Sequence, residues 1–185
     1  MTAAPLHTSD FPAEMRGDGR TVLVTGVTGY IGGRLVPELL ASGFTVRAMA
    51  RHPEALRDRP WIDDVEVVQA DASDSAQVSA ALRGVDVAYY LVHAMSAGGG
   101  FSATDRRTAR TFARAANEAH VGRIVYLGGL YPDDEELSTH LESRREVGEI
   151  LLDSPVPTTV LRAAVILGSG SASFEMMRYL TERLP

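Results

Sequence analysis

The sequence predicts an α/β fold, a doubly wound parallel sheet of about six strands with helices on both faces. Three observations carry this prediction. Short apolar, β-branched segments recur along the chain, segments with helical periodicity alternate with them, and a glycine-rich turn joins the first apolar segment to the first helix. Because crossovers between parallel strands are right-handed, few arrangements remain, and we expect the strand order 3-2-1-4-5-6.

The bulk composition excludes several classes of function. The chain has 185 residues, a net charge of −6 and no cysteine. Disulfides, thiolate metal sites and a cysteine nucleophile are therefore excluded, and nothing favours nucleic acid as a partner. No run approaches the ~18 apolar residues of a membrane span, and no signal peptide is recognisable, so we expect a cytoplasmic protein. Residues 1–20 are predicted to be a mostly disordered leader, and residues 21–185 a single domain.

The first half of the chain supplies four strands and two helices. The first helix, Tyr30–Ala41, contains Pro37, at which we expect a bend, and ends at Gly43. Asp71 is a candidate cap for the second helix, with Ser73, Asp74 and Ser75 as alternatives. In chain order the elements are predicted at Thr21–Val24, Tyr30–Ala41, Thr45–Ala50, Val65–Gln69, Ala76–Leu82 and Val85–Val92.

The second half supplies two strands and three helices. The fourth strand is near-continuously apolar, as expected for a central strand, and a glycine-rich loop follows it. The helix after this loop carries an alanine-rich face at helical spacing, and the last helix carries Phe174, Met177 and Leu180 in register. The elements are predicted at Thr104–His120, Arg123–Leu127, Leu137–Leu152, Thr158–Leu167 and a final helix that begins after Gly168-Ser169-Gly170-Ser171.

The turn between the first strand and the first helix has the spacing of a dinucleotide-binding motif. Gly26 allows the tight turn, Gly29 lets a pyrophosphate approach the backbone, and Gly32 lets helix and strand pack closely. A helix N-terminus that follows such a turn presents backbone N–H groups and partial positive charge to a phosphate. The predicted cofactor-binding residues of this turn are Thr25, Gly26, Thr28, Gly29, Tyr30, Ile31 and Gly32.

The residues after the second, third and fourth strands indicate which dinucleotide binds. NAD-binding proteins of this fold place an acidic residue after the second strand, but residues 45–52 contain none, and Arg51 stands there instead. An arginine suits the 2′-phosphate of NADP, so we predict NADP(H) in preference to NAD(H); a solvated surface arginine is the alternative. Further cofactor contacts are predicted after the third strand, at Asp71 and Ala72, and at the end of the fourth strand, at Val92, His93 and Ala94.

These motifs together resemble the short-chain dehydrogenase/reductase superfamily, whose members have a Rossmann-type fold. The resemblance rests on Thr25-Gly26-x-x-Gly29-x-x-Gly32, Arg51, Asp71 and Leu161-Arg162. It is strongest to extended and atypical members: epimerase-like proteins, NmrA-like proteins and relatives of the 39-kDa subunit of respiratory complex I. It implies NAD(P)H binding from about residue 21 to the C-terminus.

The residues that carry out catalysis in that superfamily are missing. Its chemistry rests on a Ser at the end of the fifth strand and a Tyr-x-x-x-Lys pair on the next helix. This sequence has Gly128-Gly129 in place of the Ser and no tyrosine on that helix. His140 and Arg144 match the spacing of the pair best, and four residues place both side chains on one helix face. We therefore name His140 and Arg144 as candidate catalytic residues, with two surface groups as the alternative, and Tyr90 and Tyr131 as remote candidates for the proton donor.

Two functions follow from this sequence. The first is an atypical NADP-dependent oxidoreductase or epimerase-like enzyme acting on an unidentified small molecule. The second is an NADP(H) sensor or assembly subunit without turnover. Extended members of the superfamily continue into a C-terminal substrate lobe, whereas this sequence ends one helix after the sixth strand. We therefore expect either a fragment of a longer protein or a site that a partner subunit or oligomer completes.

Overall fold

The computed structural model describes residues 16–92, 101–131 and 137–184, and within them a six-stranded parallel sheet. Its strand order, β3-β2-β1-β4-β5-β6, confirms the predicted topology. The strands are β1 (Thr21–Thr25), β2 (Thr45–Ala50), β3 (Glu66–Gln69), β4 (Val87–Tyr90), β5 (Arg123–Gly129) and β6 (Thr158–Ala163). The helices are α1 (Tyr30–Ala41), α2 (Ser75–Leu82), α3 (Phe101–Glu118), α4 (Thr139–Leu152) and α5 (Ala172–Arg183), with two short 3₁₀ helices, Pro53–Leu56 and Ile62–Asp64, between β2 and β3.

Two apolar clusters cover the two faces of the sheet. Because side chains alternate along a strand, Val22 and Val24 of β1 pack on the face that α1 covers, and Leu23 packs on the opposite face with α2, α3 and α4. All three side chains are fully buried, as expected for a central parallel strand. The carboxyl end of β1, where the glycine turn begins, is therefore held from both sides.

The helix ends show which termini are satisfied by the protein itself. Asp74 caps α2, because its Oδ1 accepts hydrogen bonds from the N–H groups of Ala76, at 2.9 Å, and Gln77, at 3.0 Å. Of the four candidates for this cap, Asp74 is therefore the one used. α1 runs through Pro37 as one helix and ends before Gly43, whose φ of +83° is the usual helix-ending conformation.

β4 and β6 are each four residues shorter than the sequence predicts. β6 pairs with β5 up to Ala163, opposite Gly129, which is the last residue of β5, so the apolar run after Ala163 has no strand to pair with. β4 begins at Val87. Before it, the N–H of Val85 closes a turn onto the Leu82 carbonyl at 3.2 Å, and the Asp86 carboxylate accepts a hydrogen bond from the N–H of Thr21 at 2.7 Å. No helix within the described ranges is long and apolar enough to cross a membrane.

The last two elements leave much apolar surface exposed. α5 has no buried residue, and the register of Phe174, Met177 and Leu180 places these side chains on a helix that packs none of them into the core. Leu161 on β6, the outermost strand on that side of the sheet, is 52% exposed.

Candidate functional site

The glycine turn between β1 and α1 is built so that side chains are excluded from two positions. Gly26 has a φ of +68°, and a Cβ there would lie 2.8 Å from the carbonyl oxygen of Leu91. A Cβ on Gly32 would collide with the backbone of Gly26. These two glycines therefore bring the turn against the end of β4 and the first turn of α1 against the strand.

The N-terminus of α1 is left open by its cap residue. Gly29 is the N-cap and has no side chain with which to accept a hydrogen bond. Gly33 is the residue whose N–H closes the first helical hydrogen bond, onto the Gly29 carbonyl at 3.0 Å. The N–H groups of Tyr30, Ile31 and Gly32 come before it, so they form the first turn that a phosphate can accept from. No acidic residue lies in this turn.

The two threonines of the turn have different environments. Thr25 is fully buried, and its hydroxyl donates to the Tyr89 carbonyl at 3.0 Å and accepts from the N–H of Leu91 at 2.9 Å. Its side chain thus joins β1 to the end of β4. Thr28 is exposed, and its carbonyl accepts a hydrogen bond from Arg59 at 3.1 Å.

The segment after β6 lies against the beginning of α1. The guanidinium of Arg34 stacks over the Tyr30 ring, 4.8 Å from its centroid, and donates to the Ser169 carbonyl at 2.9 Å. Gly168 lies against the Tyr30 hydroxyl, which occupies the space that a Cβ on residue 168 would need. The loop that follows β6 therefore borders one side of the glycine turn.

A shallow depression of about 420 Å³ lies at the carboxyl ends of β2 and β3. Arg51, His52, Gln69, Asp71 and Gln77 line it. Two hydrogen bonds connect its walls: the Gln69 amide donates to the Arg51 carbonyl at 3.3 Å, and the Gln77 side chain accepts from the N–H of Asp71 at 2.8 Å. The structure thus brings together Arg51 and Asp71, which the sequence predicts as cofactor contacts.

Asp71 is held as a carboxylate. Its Oδ1 accepts from both the hydroxyl and the N–H of Ser73, at 2.7 and 2.8 Å. These hydrogen bonds lower the pKa of Asp71, with a smaller contribution from the charge of Arg51, against a partial burial that raises it. The Arg51 guanidinium and the Asp71 carboxylate therefore give the depression one charge of each sign at neutral pH.

The remaining predicted cofactor contacts are placed only in part. Ala72 and Val92 are half-buried and pack against the core face formed by α2, α3 and α4. His93 and Ala94 lie outside the described residues, as does the glycine-rich loop that follows them.

His140 and Arg144 meet on α4 as their spacing predicts. The Nε of Arg144 donates to Nε2 of His140 at 3.2 Å, and one of its terminal nitrogens donates to the Leu127 carbonyl of β5 at 3.3 Å. With Nε2 as the acceptor, the ring proton belongs on Nδ1. Partial burial, and secondly the positive charge of Arg144, lower the pKa of His140, while Asp105 opposes them. His140 is therefore neutral at pH 7.

The protein's own side chains occupy the space beside the two glycines that replace the serine, Gly128 and Gly129. A Cβ on Gly129 would lie 2.9 Å from Cδ2 of Leu141 and 3.3 Å from Cδ of Arg144, and one on Gly128 would lie 3.0 Å from the Tyr126 ring. Arg144 thus passes over Gly129 to reach β5. Leu141 and Arg144 together occupy the space that a serine side chain at position 129 would need.

The two tyrosines named as remote donors lie in different environments. Tyr90 is buried and packs edge-on against Phe112, with ring centroids 4.8 Å apart, and burial raises its pKa far above the ordinary value. Tyr131 lies under the guanidinium of Arg162, 4.5 Å from its ring centroid.

The connection between β2 and β3 forms a part of the site that the sequence does not predict. The two 3₁₀ helices between β2 and β3 are anchored in the core by Leu56 and Trp61, and they present Arg59 to the glycine turn. Trp61 donates its indole N–H to the Gly33 carbonyl of α1 at 3.1 Å. The sequence signal for this contact was a single tryptophan in an otherwise polar connection. A tryptophan there tends to be buried, and its indole N–H then needs a hydrogen-bond acceptor. Among the described residues, no group of histidines and carboxylates is arranged to bind a metal ion.

Comparison with known proteins places this site in a family. The profile of the NAD(P)H-binding family matches residues 26–170. The (4-alkanoyl-5-oxo-2,5-dihydrofuran-3-yl)methyl phosphate reductase of Streptomyces griseus is 34% identical over 148 residues, which are 80% of this chain and 49% of that protein. The chain therefore spans about half the length of this relative.

Solved structures share the fold and hold different dinucleotides. Triphenylmethane reductase of Citrobacter sp., complexed with NADP(H), has a TM-score of 0.69 and 23% identity, covering 88% of this chain and 55% of the reductase. The Bordetella bronchiseptica enzyme WbmH, in complex with NAD⁺, has a TM-score of 0.70 and 18% identity, covering 88% of this chain and 62% of that one. The match across most of the chain shows that the chain belongs to the NAD(P)H-binding family, and the order of its sheet is that of a Rossmann-type fold.

Proposed function

We propose that this chain is the NADP(H)-binding part of an atypical oxidoreductase or epimerase-like enzyme. The observation that carries the proposal is the uncapped N-terminus of α1, next to a depression where Arg51 takes the place of an acidic residue. A dinucleotide fits these residues, because the turn supplies N–H donors for a pyrophosphate and nothing in it repels an anion. When bound, the nicotinamide supplies hydride chemistry.

Arg51 supports NADP(H) over NAD(H). Its side chain is exposed at the edge of the depression, where its charge makes a small contribution to lowering the pKa of Asp71. A 2′-phosphate on the adenosine ribose would bring two negative charges to this edge, and a guanidinium matches phosphate oxygens with two parallel donors. A ribose hydroxyl would gain less from the same side chain, because it carries no charge.

His140 and Arg144 support catalysis by their position. Both side chains lie where α4 meets the end of β5, at the carboxyl edge of the sheet, which is where ligands bind in open α/β folds. A neutral imidazole accepts a proton near pH 7, and Arg144 supplies a permanent positive charge beside it. We propose that His140 takes up the substrate proton on Nε2, for which the hydrogen bond from Arg144 to that atom must break, and that Arg144 orients the ring before the substrate binds.

A sensor or assembly subunit without turnover is the second candidate. The crossing of Arg144 over Gly129 favours it, since the place of the superfamily's serine is filled by the chain itself. In that role the pair would fix α4 to β5, and dinucleotide binding would be the whole function. The dinucleotide site is the same in both proposals.

The cofactor choice is tested by binding measurements on Arg51. Arg51→Asp should weaken NADPH by at least about tenfold, as expected for the loss of a charge-assisted phosphate contact, and should leave NADH within about twofold. Arg57→Asp, an equally exposed arginine six residues later, is the matched control. Equal affinity of the wild type for both dinucleotides, unchanged in Arg51→Asp, would contradict the preference.

Turnover is tested with a panel of carbonyl compounds and alcohols. We expect NADPH consumption or NADP⁺ reduction that His140→Ala abolishes, whereas His120→Ala, at an exposed histidine after α3, leaves the rate unchanged. Tight NADPH binding by the full chain with no turnover on the whole panel would favour the sensor instead.

A further inference from the structure

Arg59 reaches the glycine turn from outside the usual motif. One terminal nitrogen donates to the Thr28 carbonyl at 3.1 Å, and the guanidinium lies against Gly33, where a Cβ would be 3.1 Å from the other terminal nitrogen. The side chain therefore touches the turn and the first turn of α1 at once. The absence of a side chain at Gly33 leaves room for this guanidinium, which a Cβ there would press.

The position of Arg59 is fixed by the core and does not depend on the ligand. Leu56 is fully buried before it and Trp61 is buried after it, and the Trp61 indole is bonded to the Gly33 carbonyl. The backbone N–H of Arg59 closes a turn onto the Leu56 carbonyl at 2.9 Å. The connection between β2 and β3 thus works as a rigid support that carries one guanidinium to the N-terminus of α1.

We propose that Arg59 is a positioning residue for the dinucleotide, one that holds the glycine turn and acts on NADPH and NADH alike. Its hydrogen bond fixes the peptide between Thr28 and Gly29, whose orientation sets where the N–H groups of the first turn of α1 point. Its charge adds to the partial positive charge of the helix terminus, close to where a pyrophosphate would bind. Arg51, by contrast, lines the depression and is proposed to read the 2′-phosphate alone.

The proposal rests on the proposed dinucleotide site and is tested with Arg59→Met. Methionine keeps an unbranched apolar side chain and removes both the charge and the donors. We expect the dissociation constants of NADPH and NADH to rise by a similar factor, about 5- to 20-fold, as for the loss of an exposed hydrogen bond to a charged group. Arg59→Lys should recover most of the affinity, and Arg57→Met, two residues away and exposed, should change neither constant.

The single tryptophan gives the readout. Because Trp61 is bonded to the Gly33 carbonyl, its fluorescence reports on the first turn of α1 when either dinucleotide is titrated. Titrations at a temperature where circular dichroism shows each variant fully folded separate positioning from global stability. If the role of Arg59 were purely structural, Arg59→Met would lower the melting temperature and leave both dissociation constants unchanged. Arg59→Lys would then have no lost affinity to restore.

Each other outcome has a separate meaning. Loss of NADPH affinity alone would make Arg59 a selectivity residue and overturn its positioning role. Unchanged affinity for both dinucleotides would also overturn the positioning role. A wild type that binds neither dinucleotide would contradict the proposed function itself. A wild type that binds both equally would contradict only the NADP(H) preference, because the proposal for Arg59 requires a similar loss for both.

Discussion

Two pairs of glycines lie at the carboxyl ends of strands, and their surroundings differ. At the end of β1, Gly26 forms the turn and Gly29 leaves α1 without a side-chain cap, so the helix terminus is open to an anion from outside. At the end of β5, Gly128 and Gly129 make room for Tyr126, Leu141 and Arg144 of the chain itself. The helix that follows is also satisfied internally, since the Ser138 hydroxyl accepts from the N–H of Leu141. One turn is built for a ligand, and the other is closed by protein.

This difference explains why binding follows from the structure more directly than catalysis. The space at β1 is shaped by backbone, which an external phosphate can reach through N–H groups. The space at β5 is already filled by the side chain of Arg144, which is anchored to the Leu127 carbonyl and to His140. Changes at the first turn should therefore affect the dinucleotide strongly, and changes at the second should affect the protein's own packing.

The largest effect is expected from Gly26→Ala. The new Cβ would meet the Leu91 carbonyl at 2.8 Å in a backbone with φ of +68°, so we expect a loss of about 2–4 kcal/mol in the free energy of unfolding. NADPH affinity should fall more than about 100-fold, because the turn must shift to relieve the contact. Denaturant unfolding and titration by tryptophan fluorescence measure the two effects.

Gly84→Ala is the matched control for this change. Gly84 has nearly the same φ, +70°, but a Cβ there meets nothing within 4 Å. It should cost only the conformational term, about 1 kcal/mol, and leave NADPH binding intact. If Gly84→Ala destabilised the chain as much as Gly26→Ala, the contact with Leu91 would not be the cause.

A smaller effect is expected from Gly129→Ala. The Cβ would lie 2.9 Å from the end of the Leu141 side chain, which can move, so the cost should be about 1–2 kcal/mol of folding stability. NADPH affinity should stay within about twofold. The double variant Gly129→Ala/Leu141→Ala should show less than the sum of the two single losses. A loss of NADPH affinity as large as that of Gly26→Ala would mean that both turns serve the same ligand.

The smallest effect is a shift in the titration of His140. Its NMR midpoint should lie below 6.5 in the wild type, and Arg144→Met should raise it, although burial, the larger cause, keeps it below the ordinary value. Arg145→Met, whose arginine pairs with Glu142 and Glu149 instead, should leave the midpoint unchanged.

The sign of the pH dependence follows from the direction of that shift. Because the pKa of His140 is lower in the folded state, the unfolded chain binds the proton more readily, and stability falls as the pH drops below about 6.5. Any step that uses the neutral imidazole should persist into that same range. A midpoint above 6.5 would show that Asp105, which acts in the opposite direction, outweighs Arg144 and burial.

Much of the sheet could be predicted from sequence because local patterns determine it. The apolar strands, the glycine spacing and the right-handed crossovers were enough to give the order of all six strands, and the i, i+4 spacing of His140 and Arg144 gave their contact. The ends of the strands were harder to predict, because the end of β6 depends on where β5 stops and not on the residues of β6.

The part of the site that depends on long-range packing could not be predicted. Arg59 meets Thr28 across 31 residues of chain, and the contact exists because Leu56 and Trp61 fix an irregular connection in the core. The hydroxyl of Thr25 likewise binds the end of β4, 64 residues away. Neither pairing leaves a periodic signal in the sequence.

The exposed helix at the end of the described chain also bears on how the molecule opens. α5 packs none of its side chains into the core, so local fluctuations of low free energy should expose its amides, whereas those of β1 should open only with the whole sheet. Amide hydrogen exchange should therefore divide the protein into a slow sheet and a fast terminal helix. Limited proteolysis should cut first within Ala172–Arg183. The dinucleotide, which is proposed to bind beside the slowly exchanging sheet, should protect the sheet without slowing that cut.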